Sequence, residues 1–342
     1  MTAIYRGFKG RVAGSASFQE ASVPRVFAHL SFVERVPLVL VAVSAVLVGV
    51  GASWKGFDFA WASALMPAAV IALMATIAWV YTVKRPDPRL AEGARATIGL
   101  LLVTNVMMPL SYLAMAMGGP LWDDRFLAWD RAIGFDWFAY AAFVNQHPVL
   151  IEVLRFAYQS MLPQAAIAAL LLPALGQGER LKIFIAGFAI AAMITIFVSA
   201  FTPALSMWPL VPDAAARFPN LDPAAGFVHV PHVLGLRDGT FTTLMIVGGE
   251  GILTFPSFHT AFGVLLIHAF WATRWYVRWP FLALNLLMIA ATPIDGGHYL
   301  VDVIAGGAIA GLAILLATAA SRRGVAATVR VPAALPETAP AR

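Results

Sequence analysis

Apolar residues along this 342-residue chain come in long blocks, separated by short polar stretches that carry most of the charge. Eight blocks are long enough to cross a hydrocarbon core of about 30 Å as helices. They lie at 36–54, 59–83, 95–117, 148–173, 182–204, 257–273, 279–295 and 299–321. A backbone in lipid must satisfy its own hydrogen bonds, so the pattern predicts an all-α integral membrane protein. Residues 1–35 form a polar N-terminal segment, and the Ala- and Pro-rich stretch 322–342 is expected to be a disordered tail.

Composition agrees with the pattern. The chain is 60% hydrophobic and 12% charged, against about 25% charged in a soluble domain. Its net charge of +5 does not imply a nucleic-acid partner, because the basic residues lie between apolar blocks. They set orientation instead: 17 of the 23 Lys and Arg fall on one side of the predicted spans. The positive-inside rule makes that side cytoplasmic. Both termini then lie in the cytoplasm, and 118–147, 205–256 and the turn at 296–298 face outward. There is no cysteine, hence no disulfide and no thiolate chemistry. Residues 1–35 hold no apolar core of the kind a cleavable signal peptide needs.

Two further stretches carry expectations. PLWDDRFLAWDRAIGFDWFAY, 120–140, mixes Trp122, Trp129 and Trp137 with acidic residues. It reads either as an interfacial helix on the outer leaflet or as a packed lid. Gly307 and Gly311 in the last span are four apart and predict close packing against a neighbouring helix of the same chain.

Ionisable groups at the ends of membrane spans are costly, so each is a functional candidate. FPSFHTAFG, 255–263, opens the sixth span with Ser257 and His259, and GGHYLVDVIAGG, 296–307, opens the eighth with His298 and Asp302. His298 and Asp302 are four apart and share a helix face. The carboxylate can hold one imidazole nitrogen and leave the other free as nucleophile or base. His259 stands at a helix start, where Ser257 can cap and free amides attract anions. Two such histidines suit phosphoryl transfer, one attacking phosphorus and the other protonating the departing oxygen. The same three side chains also make a zinc-type triad, and spacing alone leaves both readings open.

PSFH at 256–259 together with HYLVD at 298–302 resembles the second and third motifs of the type 2 phosphatidic-acid phosphatase superfamily. The phenylalanine where PSGH is usual, and LAWDRAIGFDW at 127–137, resemble the inositol phosphorylceramide synthase branch and its bacterial relatives. The resemblance covers about 95–321 and implies a six-helix catalytic core there, with two additional transmembrane helices at 36–94. It implies His298 as the nucleophile that becomes phosphohistidine, Asp302 as its orienting carboxylate and His259 as acid/base. Ser257 and the amide at Phe258 would hold phosphate oxygens. No metal or other cofactor is implied.

Two cations of the superfamily pattern are missing. FTPALSMWP, 201–209, has no basic residue where the first motif belongs, and Thr292 stands six residues before His298 in place of an arginine. Arg155, in the fourth span beside Glu152, and Arg237, in the outer loop, are the candidates to replace them. His229 and His232, in the loop, are expected to be structural or solvent-exposed.

The resulting expectation is a lipid head-group phosphotransferase or lipid phosphatase at the outer leaflet. Its substrate would be a lipid phosphate or phospholipid, with a lipid alcohol or water as acceptor. The alternatives are a membrane transporter or scaffold with a degenerate site, and a metal-dependent hydrolase. A transporter places polar groups near the bilayer midplane, whereas here they gather at the outer boundary.

Overall fold

A computed structural model describes residues 30–223 and 225–329, with side chains described as far as 323. Among these residues the chain is helical, apart from one two-residue parallel strand pair, Asp58–Phe59 with Thr243–Leu244. Most of residues 1–35, and the tail beyond 329, lie outside the described residues.

Helix α1 is Phe32–Lys55. It starts on a capping box, the Ser31 amide donating to Glu34 Oε2 at 2.9 Å, and ends at Gly56 in the left-handed region, φ 73°. Helix α2 is Leu65–Trp79, continued by a π turn to Lys84. Helix α3, Pro88–Ala116, begins on an Asp87 cap with Pro88 in its first turn, where no amide is needed.

Two short helices follow, α4 at Asp123–Ala132 and α5 at Trp137–Asn145. Helix α6 is Pro148–Gln159 and α7 is Met161–Ala174. The expected span 148–173 is therefore two helices broken at Ser160. The reason is Pro163: its ring cannot donate to the carbonyl of Gln159, four residues earlier, and collides with it. Helix α8 is Gly178–Phe201, and the loop beyond it holds α9, Ala214–Arg217, and α10, Val230–Asp238. Helices α11, Phe258–Phe270, α12, Trp275–Asp295, and α13, Leu300–Val329, complete the chain. Residues 322–329, expected in a disordered tail, instead prolong α13.

Among the described residues six helices are long and apolar enough to cross a membrane: α1, α2 with its flanking turns, α3, α8, α12 and α13. Helices α7 and α11 are apolar but shorter. At 1.5 Å per residue the 13 residues of α11 reach only about 20 Å. Large apolar side chains stay exposed along helix faces, as Val39, Val43, Val46 and Val50 do on α1. Such continuous apolar faces belong against lipid. This is an integral membrane protein.

Helices α3, α8, α11 and α13 pack together, with α1 against α3, α8 and α13, while α12 joins α11 to α6. Helix α2 packs mainly on α3. Polar side chains bind α7 to α12 inside the bundle, where Asn285 Nδ2 donates to Gln164 Oε1 at 2.8 Å. One end of the bundle gathers charge. Lys182 lies 3.7 Å from Glu34, Ser321 donates to Glu179, and Arg180 donates to the His268 carbonyl. These groups join the starts of α1 and α8 to the ends of α13 and α11. The motif residues sit at the opposite end of α11 and α13.

Gly307 and Gly311 do not make the close packing expected of them: a Cβ on either would meet nothing within 4 Å. The close approach is made by their neighbour Gly306, which lies against the carbonyl of Ser257 at the start of α11.

Candidate active site

The two motifs meet. The Ser257 amide donates to the Asp302 carbonyl at 3.0 Å, so the first residues of α11 are tied to the first turn of α13. Only a glycine at 306 allows that approach, because any side chain would strike Ser257 and Thr260.

Asp302 lies at the third position of α13 and is fully buried. Its Oδ2 accepts from the Tyr299 amide at 2.9 Å, as the acid of a capping box does, and also faces His298 Nδ1 at 3.1 Å. One carboxylate thus closes the helix start and fixes the imidazole. The His298 amide donates to the Thr292 carbonyl at 3.2 Å, so the residue standing in place of the superfamily's arginine caps α12 through its backbone. Burial pushes the His298 pKa down to about 4, with the Thr254 backbone pulling the other way. The ring is therefore neutral at pH 7.

Ser257 is the N-cap of α11, its Oγ accepting from the Thr260 amide at 3.3 Å and from Thr260 Oγ1 at 3.2 Å. A hydroxyl has room for two acceptor bonds and still keeps its own proton to donate. The Phe258 and His259 amides are the first two of the helix and find no acceptor among the described residues. The Phe258 ring packs against Phe188 and Phe262. His259 stacks face to face on Tyr158 of α6, centroids 4.1 Å apart and planes at 9°. Tyr158 Oη and the His298 ring both lie against Gly296, so one tyrosine links the two histidines.

A third element braces the nucleophile turn. Asp130, fully buried, accepts from the Leu300 and Val301 amides at 2.8 and 2.9 Å. Asp123 accepts from the Leu205 and Ser206 amides and from Tyr299 Oη, each at about 3.0 Å. With Asp302 on Tyr299, carboxylates satisfy three of the free amides that open α13. Burial raises the pKa of Asp130, opposed by its two amide donors.

The segment 120–140 is thus a packed brace. Trp129 is exposed, but Trp137 is buried, its Nε1 donating to the Pro293 carbonyl at 2.9 Å. Sequence reading missed Asp123 and Asp130 as site supports. Their signal was the spacing of seven, which puts both on one helix face.

The candidate clamps fare differently. Arg155 Nη1 lies 3.1 Å from Glu152 and its Nη2 donates to the Asp222 carbonyl at 3.3 Å. It also shares with Asp222 and Asp295 a cleft of about 10 Å³, room for one water. Asp295 ends α12 three residues before His298; no contact joins Arg155 to His259 or His298 among its interactions. Arg237 does not join the site. Its guanidinium donates to the Gly119 carbonyl just past α3, and contact with His259 or His298 is not among its interactions.

The two histidines of the outer loop, His229 and His232, are structural in their bonding. His229 bridges the Ala225 and Leu205 carbonyls, and His232 pairs with Tyr112 Oη at 2.8 Å. Among the described residues no three His, Cys, Asp or Glu side chains group as metal ligands would.

Residues 124–316, more than half of the chain, match the family model described as PAP2 superfamily. The chain belongs to that superfamily. The match opens one residue after Asp123 and takes in both motifs and the Asp130 brace, while α1, α2 and α3 precede it. No curated protein and no solved structure matches the chain. Membership makes this superfamily member a phosphoesterase-type membrane enzyme acting on lipid phosphates in a bilayer.

Proposed function

We propose that the protein is a lipid phosphotransferase or phosphatase of the inositol phosphorylceramide synthase-like branch, working through a phosphohistidine on His298. The observation that carries the reading is the His298–Asp302 pair, held at 3.1 Å beside the helix start that bears Ser257 and His259.

His298 Nε2 attacks phosphorus, the bond to the departing oxygen breaks, and His259 gives that oxygen a proton. An acceptor O–H then returns its proton to His259 while its oxygen takes the phosphoryl group and frees His298. Asp302 holds the attacking tautomer throughout. The free Phe258 and His259 amides and the Ser257 hydroxyl face the growing charge on the phosphoryl oxygens. Arg155, which shares a cleft with Asp295, is the cation assigned to part of the missing clamp. Arg237, fixed on Gly119, has no part in this scheme.

An apolar groove of about 640 Å³, lined by Val149, Val153 and Phe156 of α6 and Leu284 and Leu287 of α12, supports a lipid substrate. Residues 95–321 form the catalytic core in this reading, with α1 and α2 as additions. The site faces outward, because the Lys- and Arg-rich segments belong to the other end of the bundle.

The test is lipid analysis after purified protein is incubated, with EDTA, with mixed phospholipids plus ceramide or diacylglycerol. A new phosphodiester lipid that His298→Ala fails to make is the transferase outcome. Dephosphorylated lipid alone is the phosphatase outcome. No His298-dependent product would return the protein to the transporter or scaffold reading, and products lost with EDTA would favour a metal hydrolase.

A further inference from the structure

We infer that Tyr158 is a further catalytic residue of this site, its hydroxyl donating to an oxygen of the transferring phosphoryl group. The inference rests on the phosphohistidine reading and deepens it.

Gly296 marks the place. A Cβ built there would lie 2.8 Å from Tyr158 Oη, 2.7 Å from His298 Cδ2 and 3.1 Å from His298 Nε2. The phenol oxygen and the attacking nitrogen therefore both lie against Gly296 and within about 6 Å of one another, close enough for one phosphoryl group to meet both. Phosphorus must enter a space bordering Nε2 if His298 is the nucleophile.

Tyr158 is set up to donate into it. The residue is largely buried, its ring packed on His259, and its hydroxyl makes no hydrogen bond among the described residues. That hydroxyl keeps some accessible surface, so a phosphoryl oxygen beside His298 could accept from it. The ring is held by its stack on His259, so the hydroxyl is aimed before substrate arrives. Fixed donors aimed where charge develops are the strongest single aid to such reactions. The need is greater here, since the superfamily pattern's two cations are replaced by an uncharged loop and by Thr292. No proton leaves the phenol: the bond formed is N–P, the bond broken is P–O, and His259 handles the proton.

The test compares Tyr158→Phe, which keeps the stack and loses only the hydroxyl, with Tyr158→Leu, which loses both. Turnover of phosphatidic acid or of the product-forming lipid mixture is measured alongside calorimetric binding of orthovanadate, which mimics five-coordinate phosphorus. Tyr158→Phe is expected to lower kcat by about 10²-fold with KM little changed, and to weaken vanadate binding. If Tyr158→Phe turns over and binds vanadate like wild type while Tyr158→Leu fails, the ring only supports His259 and the inference is overturned. A separate signature marks failure of the underlying reading: wild type and His298→Ala alike in turnover and in vanadate binding. That result would overturn the inference as well.

Discussion

Replacing Gly296 with alanine adds one methyl group to the space in front of His298. The backbone tolerates it, since residue 296 has φ −98° and ψ −9°, open to any L-residue. The methyl would lie 2.7 Å from His298 Cδ2 and 2.8 Å from Tyr158 Oη. Ordinary contact begins at 3.4 Å, so the imidazole edge must retreat by the difference, 0.7 Å. It has little room to do so. Nδ1 already lies 3.1 Å from Asp302 Oδ2 and can close by only about 0.3 Å before reaching the short limit of a charge-assisted bond. The ring must tilt or Tyr158 must leave its stack.

A nucleophile displaced by this much costs on the order of 10²-fold in rate. Stability should change far less. Overpacking costs about 1–3 kcal/mol, offset by the 0.4–1 kcal/mol or so that Gly→Ala gains through the unfolded chain. Turnover of the lipid mixture and a thermal melt in detergent, on the same preparation, separate the two effects. A Gly296→Ala variant that keeps wild-type kcat would refute the reasoning, because the position of the His298 ring would then not set the rate.

Gly306→Ala should separate α11 from α13 at the Ser257–Asp302 bond and lower both activity and melting temperature, whereas Gly311→Ala, with open space around it, should change neither; equal effects in paired melts and assays would contradict the packing argument. Asp130→Asn leaves one of the Leu300 and Val301 amides facing an amide, and should cost about 1–3 kcal/mol of stability, read as a lowered unfolding temperature. The pH profile follows from His298, which unfolded takes its proton near pH 6.5 and folded only near 4. The unfolded state binds more protons between those values, so stability should fall as pH drops through that window, while the neutral nucleophile persists and kcat holds until pH nears 4; an acid limb in kcat at pH 6.5 or above would contradict it.

Much of this architecture was legible because lipid imposes a simple rule on sequence. Helices must be long and apolar, and α1, α3, α8 and α13 fall where their apolar blocks do. The fourth block was misread as one helix because hydropathy does not register the lost amide and ring clash of Pro163. Gly307 and Gly311 misled in another way. Their spacing marks a face with small residues but not what lies opposite, and the glycine that meets a backbone is 306.

The His298–Asp302 pairing followed from their spacing of four, but not on a shared helix face: His298 lies two residues before α13, and Asp302 reaches it from the helix's first turn. The bond joining Ser257 to Asp302, the Asp130 brace and the stack of Tyr158 on His259 join residues far apart in sequence, and no local pattern announces them. Arg237 shows the reverse limit: a basic residue in the right loop whose partner is a carbonyl beyond α3.

The central claim is that His298 carries the phosphoryl group. Its most direct test is to mix the protein with a lipid substrate labelled at phosphorus, quench within milliseconds in alkali, and map the label by peptide mass spectrometry. The account predicts an acid-labile, alkali-stable adduct on the peptide containing His298, absent from His298→Ala and discharged when an acceptor alcohol or water completes the turnover. Turnover with no adduct on His298, or an active His298→Ala, would contradict it.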